Sequence, residues 1–467
     1  EPTTSANGLP IVDDPITVSI WWQLNNFQSS TMQSLNESSA FQEMERRSNV
    51  HLDFIHPSIG QEQVQFQLMV ASQEFYDIIN CTNFDKWYTG GSAQAAADQA
   101  VLDVTDLIPS QMPNCWKWLS ENEDMMRDSK SDDGHFYYIP CLGSRGAEPA
   151  WGGLVIRQDL LEEQGMELPE TIADWEEALT MFRDTYNFSA PLIMPQHEGY
   201  FNFNGAFATA YDVTYEFYQV DGVVKYGPIE EGWKEYLTLM ADWYQKGLLD
   251  KDFATRDLVN DSWRKKEFAE NIAAAGKQVW GNVTNRFYLD GLTTNENFNL
   301  AAVVSPTRDE NHTLHFNMVN SPVTGSVYIS TTNPYINESL AWIDYFFTEE
   351  GLLLSNYGIE GEGYNMVDGE PVLSEAMLDN SNDSWENNLA KMTMYQGVGL
   401  YDYKRNWQAY EQDKIAACDV WAQTDASYVI PKKITRTTEE GSTYSKIMSE
   451  VETYVFETSV KIISGYT

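Results

Sequence analysis

The chain has 467 residues and a formal charge of −41, from 29 Lys and Arg against 70 Asp and Glu. Its length exceeds one ordinary hydrophobic core and asks for two large lobes, while its charge argues against nucleic acid or an anionic lipid surface as a partner. The 42% hydrophobic share is that of a globular protein, no apolar run is long enough to span a bilayer, and aromatic residues are plentiful, with 15 Trp, 26 Tyr and 21 Phe.

The opening EPTTSANGLPIVDDP is polar, contains proline and has no basic-then-apolar export signal, so residues 1–15 read as a flexible tether. Ile16–Trp22 (ITVSIWW) predicts a buried strand, Phe41–Ser48 the end of a helix and Val50–Ile55 a second strand. Gln61–Ser72 predicts a helix and Tyr76–Ile79 a third strand. Strands alternating with helices imply a parallel, helix-covered sheet. Such sheets bind ligands beyond the carboxyl ends of their strands, here after Ile20 and after Ile79.

FYYIP at Phe136–Pro140 leads into a Gly/Ala/Pro-rich stretch and then GGLVIRQDLLEEQGMELPETIADWEEAL. This run predicts a strand at Leu154–Ile156, a helix around Leu160–Gln164 and a second helix capped by Thr171 with Asp174 three residues on. The first lobe boundary is placed near 145–153. From Gly232 to Leu249, apolar residues at Trp233, Tyr236, Leu237, Met240, Trp243 and Tyr244 have helical spacing and read as a core stripe. Strands are predicted up to Trp280, over Phe298–Ser305 and over Val327–Ser330, then a helix over Glu338–Phe347. The last helix, Glu439–Ile463, sets Tyr444, Ile447, Met448, Val451, Tyr454 and Val455 on a stripe read as core. The four cysteines (Cys81, Cys115, Cys141, Cys418) are scattered with no CxxC pair, so metal-site spacing is absent and a single disulfide stays open.

The stretch Asp344–Tyr364, DYFFTEEGLLLSNYGIEGEGY, reads as an amphipathic helix running out through Thr348–Gly351, followed by Gly358, Gly361 and Gly363 around Glu360 and Glu362. Glycines that dense mean a tight turn or a close backbone approach. Together with FQEMERRSNVHLDF followed by YDII, the crossover run above and the KGLLDKDF exit at Lys246–Phe253, it resembles the bacterial extracellular solute-binding proteins of family 1, the capture subunits of ABC importers. Within them it is most similar to the oligosaccharide-binding branch, and distantly to maltodextrin-binding proteins. The resemblance implies an α/β, periplasmic-binding-protein-like fold: two α/β lobes joined by a multi-strand hinge with the ligand cleft between them. Residues 16–150 with 313–347 are assigned to lobe 1, and 151–312 with 348–467 to lobe 2, the chain crossing at Thr348–Gly351. It further implies an oligosaccharide ligand, ABC permease subunits as partners, no cofactor, no catalytic role and no metal. A calcium loop found in some relatives is not matched at Arg183–Pro191. The expected protein is an extracellular monomer on the bacterial cytoplasmic membrane, touching it only through a lipid anchor. Two other readings stand beside this one: a solute-binding protein for peptides or other non-sugar solutes, and a surface lectin or carbohydrate-active enzyme.

Sugars alternate apolar C–H faces with hydroxyl edges, so a sugar site needs flat rings to stack on and Asp, Asn, Gln or Arg for the hydroxyls. Aromatics at predicted strand ends are the candidates. Trp22 closes the first strand, with Asn25 next; alternation sends only one of Trp21 and Trp22 toward the ligand. The loop Asn80–Trp87 resembles the place where maltodextrin-binding proteins carry an Asp, an Arg and a Trp. It offers Asn83, Asp85 and Trp87, with Lys86 in place of Arg, and Lys makes no planar fork. Trp151 precedes the crossover strand, Tyr200 resembles another aromatic sugar contact, and Trp280 falls where those proteins keep a stacking Trp. Tyr364 and Asn365 close the glycine-rich stretch, and Trp407 lies with Tyr403 in an aromatic-rich late segment. The chain has no GxSxG, HExxH or P-loop, and with 70 acidic residues carboxylate pairs carry no information about glycosidase chemistry.

Overall fold

The computed structural model describes residues 8–147, 150, 152–194, 207–255, 268, 270–279, 291–317, 320–379, 381, 384–395, 397–409, 412–430, 434 and 437–466. Its strands are β1 (Ile16–Trp22), β2 (Val50–Ile55), β3 (Ile78–Asn80), β4 (Ile139–Gly143), β5 (Gly152–Arg157), β6 (Leu192–Ile193), β7 (Phe217–Val220), β8 (Val223–Tyr226), β9 (Ala275–Val279), β10 (Leu300–Val303), β11 (Val323–Ile329), β12 (Tyr364–Val367), β13 (Glu370–Leu373) and β14 (Leu400–Tyr401). They form a six-stranded sheet in the order β14-β4-β11-β3-β1-β2, a four-stranded sheet β10-β5-β9-β6, and the hairpins β12-β13 and β7-β8. Two compact units result. Unit 1 holds Glu1–Glu148, Ser321–Ala409 and Lys433–Lys446, and unit 2 holds Pro149–Asn320, Tyr410–Lys432 and Ile447–Thr467.

In unit 1, β1 pairs in parallel with β2 and β3, β14 pairs in parallel with β4, and β11 runs antiparallel between β3 and β4. Five of the six strands therefore share one direction. The run ITVSIWW forms β1 because its β-branched and aromatic residues suit a strand covered on both faces; Val18, Ile20, Trp21 and Trp22 are all buried. Ser19 ties β1 to the entry of β3, its backbone N–H and its hydroxyl each donating to Asp77 Oδ2 at 2.8 Å. The helix Pro113–Glu121 is capped from elsewhere in the chain. Cys115 N–H donates to Asp344 Oδ1 at 2.8 Å and the Asn114 side chain to Asp344 Oδ2 at 2.8 Å, a carboxylate on the positive end of a helix.

Four expectations are corrected in this unit. The helix Ile336–Tyr345 does not run out through Gly351; Thr348 caps a new helix, Glu349–Tyr357, its hydroxyl accepting from Gly351 N–H at 3.1 Å. Gly351 sits in the first turn because a Cβ there would stand 2.1 Å from the Tyr345 carbonyl oxygen. Leu354 is buried in the core of unit 1 and β14 completes its sheet, so the chain does not cross at Thr348 and residues 348–409 belong to unit 1, not to the second lobe. The return to unit 1 comes at Ser321 rather than 313, because Phe316 packs into the core of unit 2. The tether is also shorter than 1–15. Leu9, Ile11 and Val12 pack on the first core, and Ile11 N–H donates to the Ser48 carbonyl at 3.1 Å.

In unit 2, β5 lies antiparallel to β10 and β9, and β6 lies parallel to β9. The expected cap is present: Asp174 N–H donates to Thr171 Oγ1 at 3.2 Å and Thr171 N–H to Asp174 Oδ2 at 2.9 Å, opening the helix Ile172–Tyr186. The second glycine of the pair that opens β5 has a cause. A Cβ on Gly153 would meet the Trp421 indole at 2.3 Å, and that indole N–H donates to the Leu154 carbonyl at 3.0 Å. Arg157, 1% exposed, is held by both oxygens of Asp159 at 2.8 and 2.7 Å. The aromatic stripe of the helix Glu231–Lys246 is core, with Trp233, Tyr236, Met240 and Trp243 all buried. The stripe of the last helix, Thr438–Ser464, is narrower than expected. Met448, Ser459 and Ile463 are buried in steps of a helical period, while Ile447 and Tyr454 lie at its margin, 53% and 69% exposed.

Candidate functional site

The five codirectional strands of unit 1 present their carboxyl ends along one edge. In sheet order it carries Tyr401–Asp402 at the end of β14, Ser144–Arg145 after β4, Asn80–Asn83 at β3 and Trp22–Asn25 at β1. At a strand spacing of about 4.8 Å, the line from β14 to β1 is about 19 Å long. An α/β sheet places ligands at this edge.

The end of β14 is the most elaborated part. Asp402, 2% exposed, accepts from the Tyr357 hydroxyl at 3.0 Å, Arg145 Nε at 3.1 Å and Lys404 N–H at 3.1 Å. Burial, reinforced by the Asp402 carboxylate, pushes the Tyr357 phenol well above its ordinary range. Asn356 locks β14 to the helix Glu349–Tyr357, donating to the Leu400 carbonyl at 2.8 Å and accepting from Asp402 N–H at 2.9 Å. Arg405 is fully buried in the short helix Lys404–Trp407. Its guanidinium lies 5.6 Å from the Tyr395 ring centre and 5.5 Å from that of Tyr401. Tyr395 in turn meets Phe27 edge-on at 6.0 Å, on the helix Asn26–Thr31 that follows β1. A line of rings and one cation therefore joins the β1 side of the edge to the β14 side. Tyr403 and Trp407 add a second, half-exposed pair with ring centres 5.4 Å apart.

Three side-chain atoms at this edge are buried without a hydrogen-bond partner: Asn80 Nδ2, Ser144 Oγ and Arg405 Nη2.

The sequence candidates divide. Trp22 is a core ring, 4% exposed and edge-on to Phe41 and Phe54, and this corrects its assignment to the ligand. Both tryptophans of β1 are buried because the strand is covered on both faces. Asn25 lies on the edge, but its carboxamide oxygen caps the helix Asn26–Thr31, accepting from Phe27 and Gln28 N–H at 3.0 Å each. Asn83 and Asp85 are exposed after β3, with Asp85 Oδ1 accepting from Ser92 N–H at 2.7 Å. Trp87 is half-buried, tilted against Phe66 at 5.7 Å. Tyr364 is buried at the base of the β12-β13 hairpin against Tyr357 at 5.9 Å, which makes it a packing residue, whereas Asn365 beside it is exposed. Trp407 is half-buried on the elaborated end of the edge. Trp151, Tyr200 and Trp280 lie outside the described residues. The structure adds Tyr395, Tyr401 and Arg405. The only sequence signal for them was the aromatic density of MYQGVGLYDYKRNW, since a two-residue strand has no periodicity to read.

Among the described residues no group of three or more His, Cys, Asp or Glu is placed to hold a metal ion, and no helix is long and apolar enough to cross a membrane. The cysteines are buried thiols, and burial raises Cys81 to about 12, which keeps it unreactive.

The carboxyl edge of the first sheet thus gathers rings and polar groups among the described residues. Residues 26–352 match the family model of the bacterial extracellular solute-binding proteins, and the chain belongs to that family. It is 23% identical over 350 residues to the fructooligosaccharide ABC transporter substrate-binding protein FusA of Streptococcus pneumoniae serotype 4, an alignment covering 70% of this chain and 61% of FusA. It is 25% identical over 280 residues to lipoprotein LipO of Bacillus subtilis, covering 54% of this chain and 51% of LipO. Both alignments span less than two thirds of the relative. Among solved structures, alginate-binding protein AlgQ2 superposes with a TM-score of 0.77 at 22% identity, covering 98% of this chain and 92% of AlgQ2. FusA in complex with kestose superposes at 0.75 with 18% identity, covering 96% and 92%. The fold is therefore the periplasmic-binding-protein-like α/β fold of solute-binding proteins.

Proposed function

We propose that this chain captures an oligosaccharide outside the cell and delivers it to the permease of an ABC importer. The observation that carries the reading is the carboxyl edge of the first sheet, where Tyr395 and Tyr401 flank Arg405 and Tyr403 pairs with Trp407 close by in the chain. Rings of this kind stack on the C–H faces of sugars, and Asn83, Asp85, Asn365 and Asn25 offer polar groups for hydroxyls. FusA is a fructooligosaccharide-binding and AlgQ2 an alginate-binding protein, which supports the same ligand class. Trp280, Trp151 and Tyr200 remain candidate contacts from the second unit. Capture is completed by a hinge closure, the protein works as a monomer, and it leaves its ligand chemically unchanged. LipO is named a lipoprotein, which supports a lipid anchor as the only membrane contact.

The test is a thermal-shift panel of oligosaccharides and peptides, followed by calorimetry. A glycan at a hundredfold excess over its Kd stabilises the protein by about 2.7 kcal/mol, visible as a raised Tm. A micromolar Kd corresponds to about 8 kcal/mol of binding. Stabilisation by peptides alone, or glycan cleavage during incubation, overturns the reading.

A further inference from the structure

We propose that Arg405 is a positioning residue of the glycan site, one that touches no sugar itself and holds the Tyr401 and Tyr395 rings as a single platform. The inference rests on the glycan reading of this edge. Arg405 is fully buried, yet its hydrogen bonds go to neutral groups: Nε to Asn406 Oδ1 at 3.0 Å and Nη1 to the Asn356 carbonyl at 3.1 Å, with Nη2 unpartnered. The carboxylate of its neighbour Asp402 is engaged by Arg145 and Tyr357. A buried cation on neutral partners is a costly choice, and an apolar side chain of similar volume commonly gives equal or better stability. Stability therefore does not explain an arginine here.

Geometry does. A guanidinium is planar, with two faces and a rigid fork, which lysine lacks. The fork is pinned by Asn406 and by the Asn356 carbonyl, and the cation attracts the tyrosine rings at 5.6 and 5.5 Å. Asn406 Nδ2 also donates to the Tyr401 hydroxyl at 3.1 Å, so Tyr401 is fixed both at its ring and at its oxygen. Tyr395 reaches back to Phe27 at 6.0 Å on the β1 side. One cation thus holds two rings that stand six residues apart in the chain, one before β14 and one at its end. Preorganised rings bind without first losing freedom, which is a direct gain in affinity.

The experiment compares full-length wild type with Arg405→Met and Arg405→Lys. Each is titrated calorimetrically with kestose, alginate oligosaccharides and a high-mannose N-glycan, and its Tm is measured without ligand. The tyrosine band of the near-ultraviolet circular dichroism of the free proteins reports ring immobilisation. The expected result is at least a tenfold loss of affinity in both variants for whichever glycan wild type binds. The Tm of Arg405→Met equals or exceeds that of wild type, and both variants show a reduced tyrosine band. Rescue by lysine would show that charge rather than the plane matters, and would overturn the proposal. So would wild-type affinity in both variants, or a loss of affinity that only follows a loss of Tm. If wild type binds none of these glycans and the panel above yields only peptides, the glycan reading itself fails, and the positioning role fails with it.

Discussion

At the end of β1, Trp22 stands between Phe41 and Phe54 with 4% of its surface exposed, while Trp407 keeps a half-exposed ring at the far end of the same edge. Trp22→Ala is expected to cost about 3–5 kcal/mol in urea unfolding. Trp407→Ala is expected to leave stability within about 1 kcal/mol while weakening glycan binding; a large stability loss would return Trp407 to the core. A titration separates another kind of residue. The guanidinium of Arg46, helped by that of Arg47, lowers the Glu43 carboxyl from 4.5 to about 2. A carboxyl depressed on folding contributes its stability above its unfolded value and loses it as pH falls toward the folded one. Glu43→Gln should therefore flatten the acid limb of stability between about pH 4.5 and 2. At neutral pH the cost is no more than about 1 kcal/mol, because the Arg46 partner is well exposed. Residue surroundings are legible where they are local: the pairing of Trp407 with Tyr403 follows from their shared aromatic-rich segment. Trp22 was misread because alternation along one strand does not reveal that layers cover both of its faces. Arg405 was missed because its environment is assembled from Asn356 and Tyr395, which no local pattern connects to it.

Elements with strong local signals, β1, β2 and the helix capped by Thr171, appear where the sequence puts them, because β-branched runs and capping boxes act within a few residues. The stretch around Thr348 fails the same reading for a physical reason. Gly351 looks like a helix stop, but it opens a helix and is required by the approach of the Tyr345 carbonyl. Thr348→Ala is expected to cost about 1 kcal/mol as a lost cap. Gly351→Val should cost more, since its Cβ has no space; equal Tm values for wild type and this variant would contradict the close approach. The β12-β13 hairpin shows how an isolated pair of strands is steadied. Tyr364 and Leu373 bury its base, and the Gln408 side chain accepts from Leu373 N–H at 2.8 Å and donates to the Pro371 carbonyl at 2.9 Å. A two-stranded hairpin is marginal alone, so Gln408→Ala is expected to speed hydrogen exchange across Tyr364–Leu373 without shifting global unfolding.

Each unit is assembled from three separate stretches of chain, and that arrangement was legible only in part. The crossing near 148 follows from a composition shift, whereas the boundary at 409 depends on β14, which has two residues and no sequence signature. A polypeptide of residues 1–148 lacks both β11 and β14 and so lacks the neighbours of β4. It is expected to show no cooperative unfolding transition, and a sigmoidal melt would contradict this. The same pairing has a temporal side. The chain is made from its amino end, and Leu142 has no partner in β14 until Leu400 has been added. Contacts so remote in sequence form slowly. A protein whose first sheet closes only once Leu400 has been added stays threadable until then, which suits a member of an extracellular family that passes through a narrow channel before it folds.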